Sequence, residues 1–189
     1  MTVVRLHAAE DLRVAREPTP AEMAGDEIRL RVGAVGICGS DLHTYEDGQI
    51  GGIAIQTPLV LGHEFGGTVE AMGSEQLTDG AGVALSVGTR VAVDPAIACG
   101  ACEWCTHGHP NLCPHVKFCG TWPYDGAMRT WMNYPARHCY AIADSIDDAE
   151  AGLLETLGVG VHAVDLAHVD VGDTVAVLGA GPIGLSILQ

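Results

Sequence analysis

The sequence predicts a mixed β and α/β fold: a small irregular β-barrel over residues 1–150, then a linking helix and the first strand, turn and helix of a doubly wound α/β domain over residues 151–189. Three observations point there. Apolar and polar residues alternate through 27–34, the period-two signature of a half-buried strand. Twenty-five glycines and nine prolines call for many tight turns, which short strands need and a helix bundle does not. An unbroken apolar run at 174–178 leads directly into Gly179-Ala180-Gly181-Pro182-Ile183-Gly184, a strand entering a glycine-rich turn.

Ile28, Leu30, Val32 and Ala34 fall on one face of the first strong strand, with Arg29, Arg31 and Gly33 on the other, and the strand delivers the chain to Cys38. Further strand-like runs at 57–61, 68–72 and 90–93 are each bounded by Gly or Pro, which together suggest the barrel. Residues 73–90 are rich in small side chains and read as a surface loop without chemistry. From Asp147 and Asp148, which offer helix-start chemistry, Leu153, Leu157, Val161 and Val164 follow at helical spacing. One long helix is expected there, kinked near Gly158 and Gly160.

Composition narrows the function classes. Hydrophobic residues make up 48% and charged residues 17%, enough apolar surface to offset the entropy of ordering the chain, so disorder is excluded. Nine Lys and Arg against 24 Asp and Glu give a formal charge of -15, which repels phosphate backbones and anionic membrane surfaces. Neither nucleic acid nor membrane is an expected partner. Residues 1–16 carry Arg5, Glu10, Asp11 and Arg13 and so lack the apolar core of an export signal, and no run approaches the roughly 20 apolar residues of a membrane span. Seven cysteines without an export signal imply reduced thiols, metal binding and a cytoplasmic location.

Cys99, Cys102, Cys105 and Cys113 stand two, two and seven residues apart. Four thiolates in so short a loop can close a tetrahedral shell around zinc and leave no position for substrate, which describes a structural site. Gly100 and Gly108 supply the backbone freedom to wrap. An iron–sulfur cluster or neighbouring redox disulfides would use similar spacing. His107, His109 and His115 lie nearby and read as solvated surface, because four cysteines already fill the shell.

A second, open metal site can be assembled from Cys38, within Gly36-Ile37-Cys38-Gly39-Ser40-Asp41-Leu42-His43, and His63, within Leu61-Gly62-His63-Glu64. A lone Cys or His is commonly a core or surface residue. Here both stand at the ends of strand-like segments beside acidic partners, which favours ligands.

The glycine run from Gly179, with Gly181, Pro182, Ile183 and Gly184, fits the dinucleotide fingerprint: glycines for a tight turn, close pyrophosphate approach and helix packing. Residues 174–189 suffice for one strand and the start of a helix, whereas a doubly wound domain needs several such units. The acidic residue that would read the ribose lies about 20 residues on, past Gln189. A truncated form, a fragmentary gene product and the first half of a longer protein all fit this, and NAD and NADP stay undistinguished.

Several motifs in order identify a family. Residues 36–43, 48–51, 61–64 and 118–126, His138-Cys139-Tyr140, Leu154-Glu155 and residues 160–163 resemble the zinc-containing medium-chain dehydrogenases, closest to the polyol branch of sorbitol and xylitol dehydrogenases. The resemblance covers essentially the whole chain and implies a GroES-like barrel followed by the opening of a Rossmann fold. By that resemblance Cys38 and His63 bind a catalytic zinc, Glu64 is a direct or exchanging ligand, and Glu155 binds zinc or its water. Asp41 resembles the carboxylate that accepts the other ring proton of His63. Ser40 takes the substrate proton and His43 carries it toward solvent, and Tyr45 and Phe118 line the substrate pocket. Two zinc ions per chain and NAD or NADP are the implied cofactors, a small alcohol or polyol the implied partner, and a homo-oligomer the implied full-length state.

The expected reaction is hydride transfer from a secondary alcohol, a polyol, to NAD(P). Threonine or 2,3-butanediol dehydrogenation, within the same family, is the alternative, and a non-catalytic zinc-stabilised fragment is another. Two departures bear on the polyol itself: Thr156 stands where the branch commonly has Pro, and the 73–90 segment is longer than usual.

Overall fold

The computed structural model describes residues 1–189. The chain opens with an antiparallel hairpin, β1 (Thr2–Ala8) and β2 (Asp11–Arg16), in which Val4 faces Val14 and Leu6 faces Leu12. The alternating segment forms β3 (Glu27–Val35), burying Ile28 and Leu30 completely while Arg31 stays outside. Helix α1 (Gly39–Asp47) follows, then β4 (Gln49–Ile50) paired with β5 (Ile53–Ala54), and β6 (Leu59–Val60) against β1. The strand expected at 57–61 is thus reduced to two residues: Pro58 has no N–H to give a ladder.

Strands β7 (Phe65–Met72) and β8 (Arg90–Val93) come next, then β9 (Ala96–Ile97), helix α2 (Glu103–Thr106) and β10 (Lys117–Phe118), and finally β11 (Trp131–Pro135) and β12 (Cys139–Ala141). Five of these make one antiparallel sheet in the order β11-β3-β7-β8-β12, and β2-β1-β6 make another. Residues 128–130 tie the two together. Val4 N–H donates to the Met128 carbonyl at 2.9 Å, Thr130 N–H to that of Thr2 at 3.0 Å, and Val32 N–H to that of Thr130 at 3.0 Å. One segment therefore bonds β1 on one side and β3 on the other, which joins the two sheets into one barrel-like wall.

Inside lie Ile28, Leu30, Phe65, Val69, Val91 and Met132, all essentially without solvent contact. Each contributes about 1.5–3 kcal/mol by leaving water. Leu6, Leu59 and Leu61 form a smaller cluster that Tyr45 covers.

The loop at 73–90 is not simply surface, as the sequence suggested. Thr78 and Ala84 pair in a short bridge, Leu85 enters the main core, and the carboxylate of Asp79 is buried, accepting N–H groups from Ala81 (2.9 Å), Val83 (2.8 Å) and Ala141 (2.9 Å). An aspartate among small polar residues carries no sequence mark of this role, because its donors are backbone groups, one of them on a distant strand.

Helix α3 (Asp148–Leu166) starts where Asp147 and Glu150 form a reciprocal capping box, each side chain accepting the other's N–H at 2.8 Å. It runs past Gly158 and Gly160 without a break in helical structure at the expected kink. Its first turns dock on the barrel through small residues: a Cβ on Gly66 would stand 2.6 Å from the Ala151 Cβ and 2.7 Å from the Val91 carbonyl, and one on Gly152 would stand 3.1 Å from the Glu64 carbonyl. Farther along, Gly160 packs on Ser186 of helix α4 (Pro182–Leu188).

Residues 174–178, expected as a strand, are not in one. A strand is defined by ladder partners, and no other segment here lies beside it to supply them. Its apolar side chains remain open to solvent, Leu178 at 98%. No helix is long and apolar enough to cross a membrane.

Candidate functional site

The four-cysteine loop closes as its spacing predicts. Every pair of the four sulfurs lies within 4.8 Å, with Cys102 and Cys105 at 3.4 Å and Cys99 and Cys105 at 4.0 Å, and no disulfide forms. A tetrahedral zinc with bonds of about 2.3 Å needs sulfurs about 3.8 Å apart, so the donors fit it. The N–H groups of Cys99 and His115 both point at the Cys113 sulfur from 3.4 Å. The N–H groups of Ala101 and Cys102 pull the Cys99 thiol down to about 6, whereas burial and then the neighbouring Cys102 push Cys105 up to about 12. Sulfurs this close cannot all ionise without a cation between them, and a divalent metal removes that conflict. Gly100 and Gly108 take left-handed backbone (φ 72° and 84°) where the loop turns. His107, His109 and His115 are exposed.

The second cluster forms where three elements meet. Cys38 caps α1, and His63 and Glu64 precede β7; their ligand atoms lie within 4.8 Å of one another. Gly62, at φ 92°, turns the chain between the two-residue strand β6 and β7 so that His63 points inward, a conformation that side chains resist. Gly36 is needed too: a Cβ there would overlap the carboxylate of Glu64.

Asp41 is buried behind His63. One carboxylate oxygen accepts the Cys38 N–H and the other the Gly62 N–H, both at 3.0 Å, so one side chain fixes the backbone on both sides of the cluster. Its distance from His63 Nδ1 is 3.7 Å, an ion-pair contact rather than a hydrogen bond. Asp41 is therefore both the helix N-terminal carboxylate and the anion facing the imidazole. Burial pulls the His63 pKa down, but Asp41 and then Cys38 outweigh it and push the ring up to about 9. Burial would raise Asp41, yet His63 and the two N–H donors hold it below the usual range.

Glu155, on α3, lies outside the 4.8 Å cluster, so the structure does not bring it to the same range as Cys38, His63 and Glu64. Helix docking through Ala151 and Gly152 sets its distance from the barrel. It remains near enough to couple: burial raises its pKa, the His63 charge opposes this, and Glu64 raises it further. Two half-buried carboxylates and a thiol facing one imidazole form a donor set of mixed N, O and S character, which suits a zinc ion with an open position.

Phe118 lies over His63 with ring centroids 5.3 Å apart. Tyr45, expected in the same pocket, covers Leu6, Leu59 and Leu61. Ser40 is half-buried and hydrogen-bonds through its carbonyl to Thr44, and His43 is exposed. At the other end, Gly179 has φ 113°, and a Cβ on Gly184 would overlap its carbonyl, the close turn-to-helix contact the fingerprint needs; Gly181 caps α4 and Pro182 and Ile183 begin it.

A cleft of about 570 Å³ runs beside Glu155 between α3 and the β8–β12 edge. Asp94, Asn111, Tyr140 and His162 supply its polar groups. Asp94 is held there by His138 Nδ1 (3.2 Å) and by the Ala96 N–H (2.9 Å), and its carbonyl accepts the Tyr134 hydroxyl (3.0 Å). Asp94 and Asn111 were not marked by the sequence, because they converge from a strand end and the cysteine loop. The signals available were the adjoining His138-Cys139-Tyr140 motif and residues 160–163, which contain His162.

Comparison with known proteins agrees with this geometry. Residues 24–144 match the alcohol dehydrogenase GroES-like domain. The chain is 40% identical over 185 residues to sorbitol dehydrogenase of Bacillus subtilis, covering 98% of this chain and 50% of that protein. It is 42% identical over 168 residues to a probable D-xylulose reductase A of Emericella nidulans, covering 89% and 45%. Among solved structures, an Escherichia coli oxidoreductase/dehydrogenase of unknown specificity superposes with a TM-score of 0.89 at 36% identity, covering 99% of this chain and 52% of that one. The chain thus spans about half the length of the relatives it matches. The chain belongs to the family of the alcohol dehydrogenase GroES-like domain.

Proposed function

We propose that this chain is the zinc-binding catalytic part of an NAD(P)-dependent dehydrogenase that oxidises a secondary alcohol of a polyol to a ketone. The observation that carries the reading is the convergence of Cys38, His63 and Glu64 within 4.8 Å, in front of a buried Asp41 and beside a cleft that Glu155 lines. The sorbitol dehydrogenase and xylulose reductase relatives support the polyol. The domain division near residue 150 follows α3, which leaves the barrel and meets α4.

Cys38, His63 and Glu64 would hold a catalytic zinc, with Glu155 at it or at its water, and Cys99, Cys102, Cys105 and Cys113 a structural one. When bound, the catalytic ion supplies a Lewis acid that lowers the pKa of the alcohol, and the nicotinamide supplies the hydride acceptor. The chain's own residues do the rest. Asp41 keeps the His63 ring oriented and basic. Ser40 accepts the hydroxyl proton and His43, exposed at the same helix, passes it to water. Phe118 covers one side of His63 and limits water there, and residues 179–184 begin the cradle for the dinucleotide pyrophosphate.

The test joins metal content to turnover. Zinc analysis of the purified chain is expected to give two ions, and NADH and NADPH fluorescence titration of the same sample shows whether residues 1–189 suffice to bind the cofactor. In the chain joined to a complete nucleotide-binding domain, sorbitol or xylitol should reduce NAD(P), and Cys38→Ser should abolish this. Oxidation of threonine or 2,3-butanediol with no polyol turnover would refute the substrate class, and a zinc-loaded but inert completed enzyme would refute the reaction.

A further inference from the structure

In a chain with nine Lys and Arg against 24 Asp and Glu, a cation without a carboxylate partner is scarce. Arg5, Arg13, Arg31 and Arg90 are each in an ion pair. Of the remaining five, Lys117, Arg129 and Arg137 line a single cleft of about 500 Å³, between β10, the two ends of β11 and the turn at 123–125. That concentration opposes the charge of the whole molecule.

The carboxylates in the same wall form no ion pair with these three. Asp125 accepts from Arg5 at 2.9 Å and from the Val60 N–H at 3.0 Å, and Glu27 accepts from the Ala24 N–H at 2.9 Å. Arg129 is the telling residue: its Nε is shut off from solvent and has no hydrogen-bond partner. Partial burial of the guanidinium makes an anion at its open nitrogens more favourable than it would be in water. Burial also draws the Arg129 pKa down, opposed in part by Asp125.

We propose that this cleft binds a small phosphate ester, its dianionic phosphate held by Lys117, Arg129 and Arg137 and its organic part resting on Tyr124 and Pro123. Three cations suit a dianion better than a lone carboxylate, and a guanidinium fork matches phosphate geometry in pairs of hydrogen bonds. The apolar and aromatic wall gives room for a body beyond the phosphate. The site is separate from the metal cluster, because successive residues of β10 face opposite ways: Lys117 lines the cleft and Phe118 lies on His63.

Calorimetric titration of the zinc-loaded chain with inorganic phosphate and with glycerol 3-phosphate, at constant ionic strength in chloride, tests this. Saturable binding at one site is expected, tighter for the ester. The double variant Lys117→Ala/Arg137→Ala removes two exposed side chains without touching the core and should weaken binding at least tenfold. Arg129→Lys, which keeps the charge and loses the fork, should weaken it as well. Cys38→Ser should leave it unchanged. No saturable binding, or binding lost in Cys38→Ser yet retained in the double variant, would overturn the proposal, the latter by placing phosphate on the metal. Equal affinity for phosphate and ester would overturn the assignment of an ester.

Discussion

Replacing Asp79 by alanine removes a carboxylate that holds three backbone N–H groups and pins the long 73–90 loop to β12. Hydrogen bonds to a charged group are worth about 1.5–3 kcal/mol each, but the three do not count equally. Ala81 and Val83 are exposed, so their N–H groups regain water, whereas Ala141 is half-buried in the strand beside β8. The expected loss is therefore about 3 kcal/mol, near the value for one full charged bond plus residues of two others, or a fall of about 6–12 °C in Tm for a chain of this size. The effect should also depend on pH. Burial alone would raise the Asp79 pKa, and the N–H groups of Ala141, Val83 and Ala81 overcome it, so the folded pKa lies below the unfolded one. That stability is fully present above the unfolded value of about 4 and is lost as pH falls through the folded pKa. Scanning calorimetry of both proteins should show the gap at neutral pH narrowing in acid. A difference under about 2 °C at neutral pH, or one that persists unchanged in acid, would refute the buried-acceptor account.

Cys38→Ser and Cys102→Ser should each remove one zinc but differ otherwise: the first should leave the thermal transition nearly unchanged, and the second should lower it and expose the 99–113 loop to protease, with identical losses in both sinking the idea of separate sites. Gly66→Ala places a Cβ against Ala151 and the Val91 carbonyl, neither able to yield, so α3 should lift from the barrel at about 1–3 kcal/mol; urea unfolding measures this, and an unchanged midpoint would mean the helix does not dock there. Leu30→Ala, at a fully buried position in the centre of the sheet, should cost about 2–5 kcal/mol with an unchanged denaturant slope.

Much of the fold and both metal clusters were legible in the sequence, for reasons that differ. The 27–34 alternation, the Asp147 helix start and the Cys99–Cys113 spacing each encode a local physical requirement, and β3, α3 and the four-sulfur cluster follow them. Cys38 and His63 come from two segments that their strand ends and acidic neighbours already suggested as a site, and the resemblance to a family added Glu64.

Local rules account for period-two burial, helix capping, metal-ligand spacing and the glycines of the turn before α4, all of which neighbouring residues suffice to specify. Contacts between distant segments account for the remainder. Glu155 lies outside the 4.8 Å cluster, on a helix whose position the Gly66–Ala151 contact sets, and Asp79 became a buried acceptor because β12 passes beside its loop. Lys117, Arg129 and Arg137 came to share one cleft. Hydrogen-bond partners, distances across an interface and the convergence of charges are properties of chains brought together from far apart, and the folded barrel supplies them.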